Sequence, residues 1–338
     1  MWRRCRDRLW RPIAWLLAAA LMLPLGGCRA NPSPKLVSGN AFLLNTYVAI
    51  TLYDESQGHL IEECFDLIEQ YEQKLSRTIA SSEIARLNKR TDQTVSADTA
   101  ALLEKALFFS DVSGGAFDVT IGSVSSLWDF TANDPAVPAN ADIQAALAHV
   151  DFRGVAIDGT AVTFADDETM LDLGAVAKGF IADRVKEYLV DKGVKHGIID
   201  LGGNLLCIGN RPDDTPYTIG VQDPRSERGA LVLTVAVNDR SVVTSGIYER
   251  CFEQDGKTYH HILDPQTGYP IDNELDSVTI ISRHSVDGDG YSTACMAMGL
   301  KASQALINQT DGIDAIWITR DGQIHYSDGL TDRYTISK

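Results

Sequence analysis

The sequence predicts an α+β protein, and three observations carry that prediction. Apolar side chains recur at helical spacing from Leu60 to Leu75, where Leu60, Ile61, Cys64, Leu67, Ile68, Tyr71 and Leu75 share one face. Short strand-like runs are scattered through the rest of the chain, among them Gly197–Gly203 (GIIDLGG), Leu231–Val237 and Ala315–Thr319. Strands and helices intermix without a regular βαβ alternation, which favours α+β over a doubly wound sheet. With 338 residues and 44% hydrophobic content, the chain can bury a substantial core as one large domain or two intimate lobes.

In chain order, Phe42–Tyr53 alternates enough for a first strand, and the amphipathic helix 60–75 follows it. Ser81-Ser82-Glu83-Ile84 opens a short helix ending near Leu87. Ser96 can cap a helix running to about Val112, which Gly114-Gly115 terminates. The Pro-rich segment Asn133–Asn140 is a surface loop before a short helix, Ala141–Val150. Thr169–Lys178 reads as a strand running into a helix, Phe180–Lys192, with Ile181, Val185 and Leu189 on one face. Val278–Ser282 is a strand, Asp289–Leu300 a helix start of small residues, and Ala302–Asn308 helical. The stretch Ser241–Pro270 admits two readings. It is a β-hairpin with EQDG as its turn, His260 and His261 pointing to opposite faces, or it is a loop that brings proton-exchanging histidines to a site.

The first residues carry a different signal. Arg3, Arg4, Arg6, Arg8 and Arg11 precede an apolar run, Ile13–Leu25, in the order of an export signal. That run is short for a membrane span, which needs roughly 20 residues. Leu25-Gly26-Gly27-Cys28 resembles a bacterial lipobox. The resemblance implies cleavage before Cys28, acylation of Cys28, and a domain lipid-anchored on the extracytoplasmic face of the membrane or in the periplasm. The expected organisation is a signal peptide over 1–27, a lipidated tether over 28–39 and a folded domain over 40–338. Net charge is -16, which disfavours a nucleic-acid-binding role. It also means that a substrate with several phosphates needs a local cation, a metal or a well-placed Lys. Cys64, Cys207, Cys251 and Cys295 show no CxxC pair or metal spacing and read as buried thiols, with a disulfide left open.

Two further stretches carry chemistry. Asp287–Ala294 (DGDGYSTA) offers hard oxygen ligands, with Asp289 and Thr293 four apart and so on one helical face. One carboxylate, one hydroxyl and a carbonyl from elsewhere suit Mg²⁺, whereas EF-hand spacing is missing. An Asp-capped turn explains the same residues. Asp172–Gly179 (DLGAVAKG) sets glycines beside Lys178 at a helix start. It either lets a phosphate approach backbone N–H groups or is an ordinary tight strand-to-helix connection. It lacks the P-loop spacing.

Asn45-Thr46, Ser82-Glu83-Ile84, Gly115-Ala116-Phe117-Asp118, Asp172–Gly179, Asp200–Asn204 (DLGGN), Thr244-Ser245-Gly246, His261–Gly268 (HILDPQTG) and Asp289-x-x-Ser292-Thr293-Ala294 follow one another over residues 40–335. In content and order they resemble the ApbE family, the FAD:protein FMN transferases. The resemblance implies a T-fold-related arrangement of mixed sheets and packed helices, with FAD held in a cleft between two lobes. It implies Mg²⁺-dependent transfer of the FMN portion of FAD to a Thr or Ser hydroxyl of an exported or membrane protein, releasing AMP. The acceptor it suggests is a redox-pump subunit or an extracellular electron-transfer protein. By the same resemblance the metal ligands map to the Ala175 carbonyl, Asp289 and Thr293. Flavin and pyrophosphate contacts map to Leu44, Ala116, Phe117, Asp118, Asp172, Lys178 and Leu263. The reactive histidine maps to His261, a natural general base for a hydroxyl nucleophile. His260 is the strand residue facing the other way, and Asp264 either orients a neighbour or fixes the turn before Pro265. Members commonly carry Gly where Asn45 stands, and an aromatic in the segment occupied here by Leu75–Ile79. Two alternatives keep the same residues: an FAD pyrophosphatase that uses water, and a flavin-binding lipoprotein without turnover.

Overall fold

The computed structural model describes residues 35–338; the leader, Cys28 and the tether up to residue 34 lie outside the described residues. The chain enters through a hairpin, β1 (Val37–Leu43) and β2 (Thr46–Leu52), paired antiparallel in the register Leu43↔Thr46 to Val37↔Leu52. A single strand over 42–53 is therefore corrected to two strands, and β1 begins inside what was read as tether. The connection Leu44-Asn45 has φ of 54° and 55°, the left-handed pair that a two-residue hairpin turn demands. Asn tolerates that conformation as Gly does.

The next elements match local signals. α1 (Leu60–Leu75) buries Leu60, Ile61, Cys64, Ile68, Tyr71 and Leu75, the predicted apolar face. α2 (Glu83–Asn88) is capped by Ser82, whose hydroxyl accepts from the Ala85 N–H, and α3 (Ala97–Val112) by Ser96 in the same way. Two short helices, α4 (Gly122–Ser125) and α5 (Asn140–Leu147), and a small hairpin, β3 (Val155–Asp158) with β4 (Ala161–Phe164), follow.

The expected strand over Thr169–Lys178 is not formed. Its backbone groups are satisfied one by one: Met170 O accepts from Gly122 N–H, Asp172 N–H donates to Val119 O, and Leu171 N–H donates to the Asn88 side chain. Only an isolated bridge, Ile121↔Met170, has strand geometry, and the segment runs directly into α6 (Ala177–Asp191). Apolar alternation marked burial on both sides here, and bonds to helix ends supplied the partners that a ladder would otherwise give.

The remainder is mostly strand. β5 (Gly197–Leu201), β6 (Asn204–Ile208), β7 (Tyr217–Gln222), β8 (Leu231–Val237), β9 (Ser241–Gly246), the hairpin β10 (Cys251–Gln254) and β11 (Lys257–His260), and β12 (Leu275–Ser282) precede α7 (Ser285–Met298) and α8 (Leu300–Ile307). β13 (Asp314–Thr319), β14 (Ile324–Tyr326), α9 (Leu330–Arg333) and β15 (Ile336–Ser337) complete the chain. Asp289 thus stands in the second turn of α7 and not at its start.

The central sheet has the antiparallel order β1-β2-β5-β6-β9-β12-β13-β14, and a second sheet, β15-β8-β7, covers part of one face. Helices α1, α3, α6 and α7 pack on the other. Successive residues serve opposite layers: Ile199, Ala315 and Trp317 join the helical core, while Ile198, Ile316 and Ile318 pack with Tyr217, Val235 and Leu330 of the second sheet. Burial on both faces is why β13 reads DAIWIT, with no polar alternation. A third cluster gathers Val124, Trp128, Ile143 and Leu263, with Phe130, Phe252, Tyr259 and Tyr269 around it, and seats the β10–β11 ribbon.

α7 is the hub of the helical layer, and its glycines explain how closely it sits. A Cβ on Gly290 would lie 2.1 Å from the ring of fully buried Phe109 on α3. Gly290→Ala is expected to lose about 1–3 kcal/mol of stability by overpacking, read as a lower urea midpoint at unchanged slope. A midpoint equal to that of the unmodified protein would show that Phe109 moves without cost.

The described cysteines are free thiols. Cys64, Cys207 and Cys295 are buried as expected, and burial pushes the Cys64 thiol up to about 12. Cys251 is exposed, which corrects the reading of all four as buried. No described helix is long and apolar enough to cross a membrane.

Candidate active site

A cavity of about 1120 Å³ opens where the β1–β2 turn, the end of α1, the Thr169–Lys178 segment, α7 and the β10–β11 ribbon meet. Every described residue proposed from the sequence lines it: Leu44, Ala116, Phe117, Asp118, Asp172, Ala175, Lys178, His261, Leu263, Asp289 and Thr293. Cys28 lies outside the described residues. Residues from Leu44 to Thr293 converge here because the β1–β2 turn, the β5–β6 turn and the end of β9 open on the same cavity as the helix α7.

The position of His261 follows from ribbon register. Cys251 pairs with His260, so Arg250 and His261 face each other one step beyond the ladder. The Arg250 carbonyl accepts from the His261 backbone N–H at 3.1 Å and lies 3.3 Å from its Nδ1. A carbonyl can only accept, so Nδ1 carries the proton and Nε2 keeps its lone pair. The residue is exposed into the cavity it lines, and the surrounding cavity walls desolvate its ring. That desolvation, then the positive charge of Arg250 and coupling to neighbouring His260, push its pKa down to about 4. A base neutral throughout the physiological range follows. The acid limb of kcat/KM is therefore expected with its midpoint near pH 4, activity falling only as pH drops below about 5. A midpoint near 6.5, the ordinary imidazole value, would place the ring in solvent.

His260 points away, as expected: it is buried, and its Nε2 donates to Ile271 O at 3.1 Å. The Asp264 carboxylate accepts from Gln266 N–H at 2.8 Å and Thr267 Oγ1 at 3.1 Å. Of its two open roles the structure selects the turn. Trp128 Nε1 then holds that turn from outside, donating to Gly268 O at 3.0 Å.

On the opposite wall, Asp289 is buried and held from three sides. Oδ2 accepts from Gly179 N–H at 2.5 Å, Oδ1 accepts from Asn204 Nδ2 at 2.8 Å, and Lys178 Nζ stands 3.9 Å from Oδ1. Gly179 therefore gives its N–H to a carboxylate and packs its Cα against α7, where a Cβ would fall 2.2 Å from Ser285 O. α7 is capped not by its own aspartates but by Asp183 of α6, which accepts from Ser285 and Val286 N–H. Burial, only partly offset by those bonds, raises the Asp183 pKa to about 6.

The donor set suits a hard cation. Thr293 lies one turn after Asp289, and its hydroxyl has only a long contact, 3.4 Å, to Ser245 Oγ. Ala175 lines the same cavity, in the segment whose Lys178 and Gly179 contact Asp289. Among the described residues no group of three His, Cys, Asp or Glu could hold an ion. One carboxylate, one lightly engaged hydroxyl and a carbonyl fit Mg²⁺, which keeps waters and takes phosphate oxygens.

The acidic residues mapped to flavin and pyrophosphate by the resemblance are equally fixed. Asp118 accepts from Thr120 N–H and Oγ1 at 2.8 and 2.6 Å and from Phe152 N–H at 3.2 Å, while burial raises its pKa. Asp172 accepts from Ser125 Oγ at 2.6 Å and from Gly174 N–H at 2.9 Å. It also pairs with Arg77 Nε at 3.1 Å. Arg77, from the segment where an aromatic is common, and Arg228 and Arg250 also line the cavity; the sequence pointed for a local cation only to a metal or a well-placed Lys. Asn204 and Ser245 were quoted only within motifs.

A model of the ApbE family matches residues 44–317. A Klebsiella pneumoniae (strain 342) protein named FAD:protein FMN transferase is 40% identical over 295 residues, covering 86% of this chain and 91% of that relative. A Treponema pallidum (strain Nichols) protein of the same name is 35% identical over 338 residues, covering 94% and 93%. Among solved structures, the flavin transferase ApbE from Vibrio cholerae superposes with a TM-score of 0.78 at 27% identity, over 88% of this chain and 99% of that one. The ApbE protein from Thermotoga maritima MSB8 does so at 0.80 and 30%, over 88% and 98%.

Proposed function

The chain belongs to the ApbE family, and on that premise we propose that it is an FAD:protein FMN transferase, which takes FAD as substrate and moves its FMN portion to a protein acceptor, releasing AMP. The observation that carries this reading is the meeting of His261 with Asp289, Thr293 and Lys178 around one cavity large enough for a dinucleotide. A carrier has no use for a base opposite an oxygen-ligand set.

His261 takes the hydroxyl proton of the acceptor at Nε2 as the oxygen attacks, because Nδ1 is already protonated toward Arg250 O. Asp289, Thr293 and the Ala175 carbonyl would hold Mg²⁺, and a bound ion would supply charge neutralisation for the pyrophosphate. Lys178 adds a fixed positive charge on the same wall, and Asp172, Ser125 and Arg77 order the segment that carries Ala175. Leu44, Ala116, Phe117, Asp118 and Leu263 form the flavin end. The strained backbone of Leu44, a non-glycine residue at φ 54°, is consistent with a turn shaped for a ligand.

The acceptor residue is a Thr or Ser of an exported or membrane protein, in the class of redox-pump subunits and extracellular electron-transfer proteins. The enzyme acts outside the cytoplasm, tethered through lipid on Cys28. The leader and Leu25–Cys28 support that placement.

The deciding experiment incubates residues 29–338 with FAD, Mg²⁺ and a candidate exported acceptor, reading acceptor fluorescence in gel together with AMP and free FMN. A fluorescent acceptor with one AMP per flavin is the expected result. AMP with free FMN and a dark acceptor would make the protein an FAD pyrophosphatase, and absence of AMP would leave a flavin carrier.

A further inference from the structure

We propose that Arg250 is the cation that receives the phosphoryl oxygens of the FMN phosphate as the acceptor hydroxyl attacks it, an assignment that rests on the transferase reading. Four cationic side chains line the cavity, and three are matched by a carboxylate: Arg77 by Asp172 at 3.1 Å, Lys178 by Asp289 at 3.9 Å and Arg228 by Glu249 at 3.9 Å. Among the described residues Arg250 has no carboxylate within 4.0 Å. Its one side-chain hydrogen bond runs from Nη2 to Asn45 O at 3.2 Å, in the left-handed Leu44-Asn45 turn. In a chain of net charge -16, an exposed guanidinium in a cavity wall with no carboxylate partner is suited to receive an anion.

Its place in the fold says which anion. The Arg250 main chain holds His261 through two contacts to one carbonyl, and its side chain reaches toward the turn at the flavin end. The guanidinium therefore spans the interval between the base and the flavin-side wall, where the transferring phosphorus must sit. In the step, the acceptor oxygen forms its bond to that phosphorus as the bond to the bridging oxygen breaks. The bridging oxygen and its electron pair leave with AMP, and the hydroxyl proton goes to His261 Nε2 and then to solvent. Charge spreads over the phosphoryl oxygens meanwhile, and a preplaced guanidinium stabilises it there more than in bound FAD.

The test compares Arg250→Ala and Arg250→Lys with the unmodified protein. It reads AMP release with acceptor, FAD affinity by flavin fluorescence, and rescue of Arg250→Ala by added guanidinium ion. Arg250→Ala is expected to lose about 10²–10³ in kcat while FAD affinity stays within about threefold, with partial recovery from guanidinium and in the Lys variant. A kcat within threefold of the unmodified protein overturns the assignment. So does a loss that matches weakened FAD binding and that neither rescue restores, since the side chain would then serve only to strap the Asn45 turn. An unmodified protein that makes no AMP from FAD overturns the transferase reading itself, which separates the two failures.

Discussion

Replacing His261 by alanine is expected to lower kcat by roughly 10²–10⁴-fold, the usual contribution of a positioned general base, with FAD affinity nearly unchanged. The ring donates its Nδ1 proton to Arg250 O at 3.3 Å and holds no other side chain, so its removal leaves the ribbon intact. At about 1.36 kcal/mol per decade, the loss corresponds to a barrier about 3–5 kcal/mol higher. Single-turnover flavinylation with saturating FAD isolates that step. Rates equal to those of the unmodified protein would remove His261 from the proton transfer. A loss confined to KM would make it a binding residue. Raising the pH should not rescue the variant, since no remaining cavity imidazole replaces the base; His260 is buried on the far side of the strand.

Replacing Asp289, the proposed metal ligand, should have an effect of the same order. Asp289→Ala is expected to lower Mg²⁺-supported turnover on the order of 10³-fold, because charge neutralisation by a metal is worth several kcal/mol in phosphoryl transfer. The same carboxylate also accepts from Gly179 N–H and Asn204 Nδ2, so its loss leaves two buried donors unpaired at about 1–3 kcal/mol each. Activity alone would therefore confound metal loss with destabilisation. The cleaner readout is the shift of melting temperature with Mg²⁺. A bound ion adds about 2.7 kcal/mol at a hundredfold excess over its dissociation constant, and that increment should vanish in the variant. Thr293→Val separates the two causes, since its hydroxyl makes only the 3.4 Å contact to Ser245. It should keep stability and lose Mg²⁺ affinity. If both variants retained the Mg²⁺-dependent shift and full turnover, the oxygen set around Asp289 would not be the metal site.

Much of the helical layer was legible because its signals are local. The 60–75 stripe, the Ser82 and Ser96 caps and the four-residue spacing of Asp289 and Thr293 each involve residues within one or two turns, where 3.6-residue geometry decides neighbours. The hairpin reading of 251–260 held for the same reason: Asp255 and Gly256 supply the two left-handed residues of its turn. Leu44-Asn45 escaped notice because Leu is not a turn residue, and the chain spends strain there. The strand expected over Thr169–Lys178 does not form because buried alternation has the same pattern whether its backbone partners come from a ladder or from helix ends.

By itself the sequence determined the α+β class, the main helices, the late buried strand and the ordered motifs that mark the family, all carried by local periodicity, capping and spacing. Only the tertiary structure decided that Asp264 serves its turn, that Gly179 packs against Ser285, that Asp183 caps α7, and that Arg250 reaches Asn45 across 205 positions. These are contacts between side chains and backbone groups far apart in the chain. They arise where turns and strand ends distant in the chain are brought together by the sheet order, and no local propensity encodes which partners meet there.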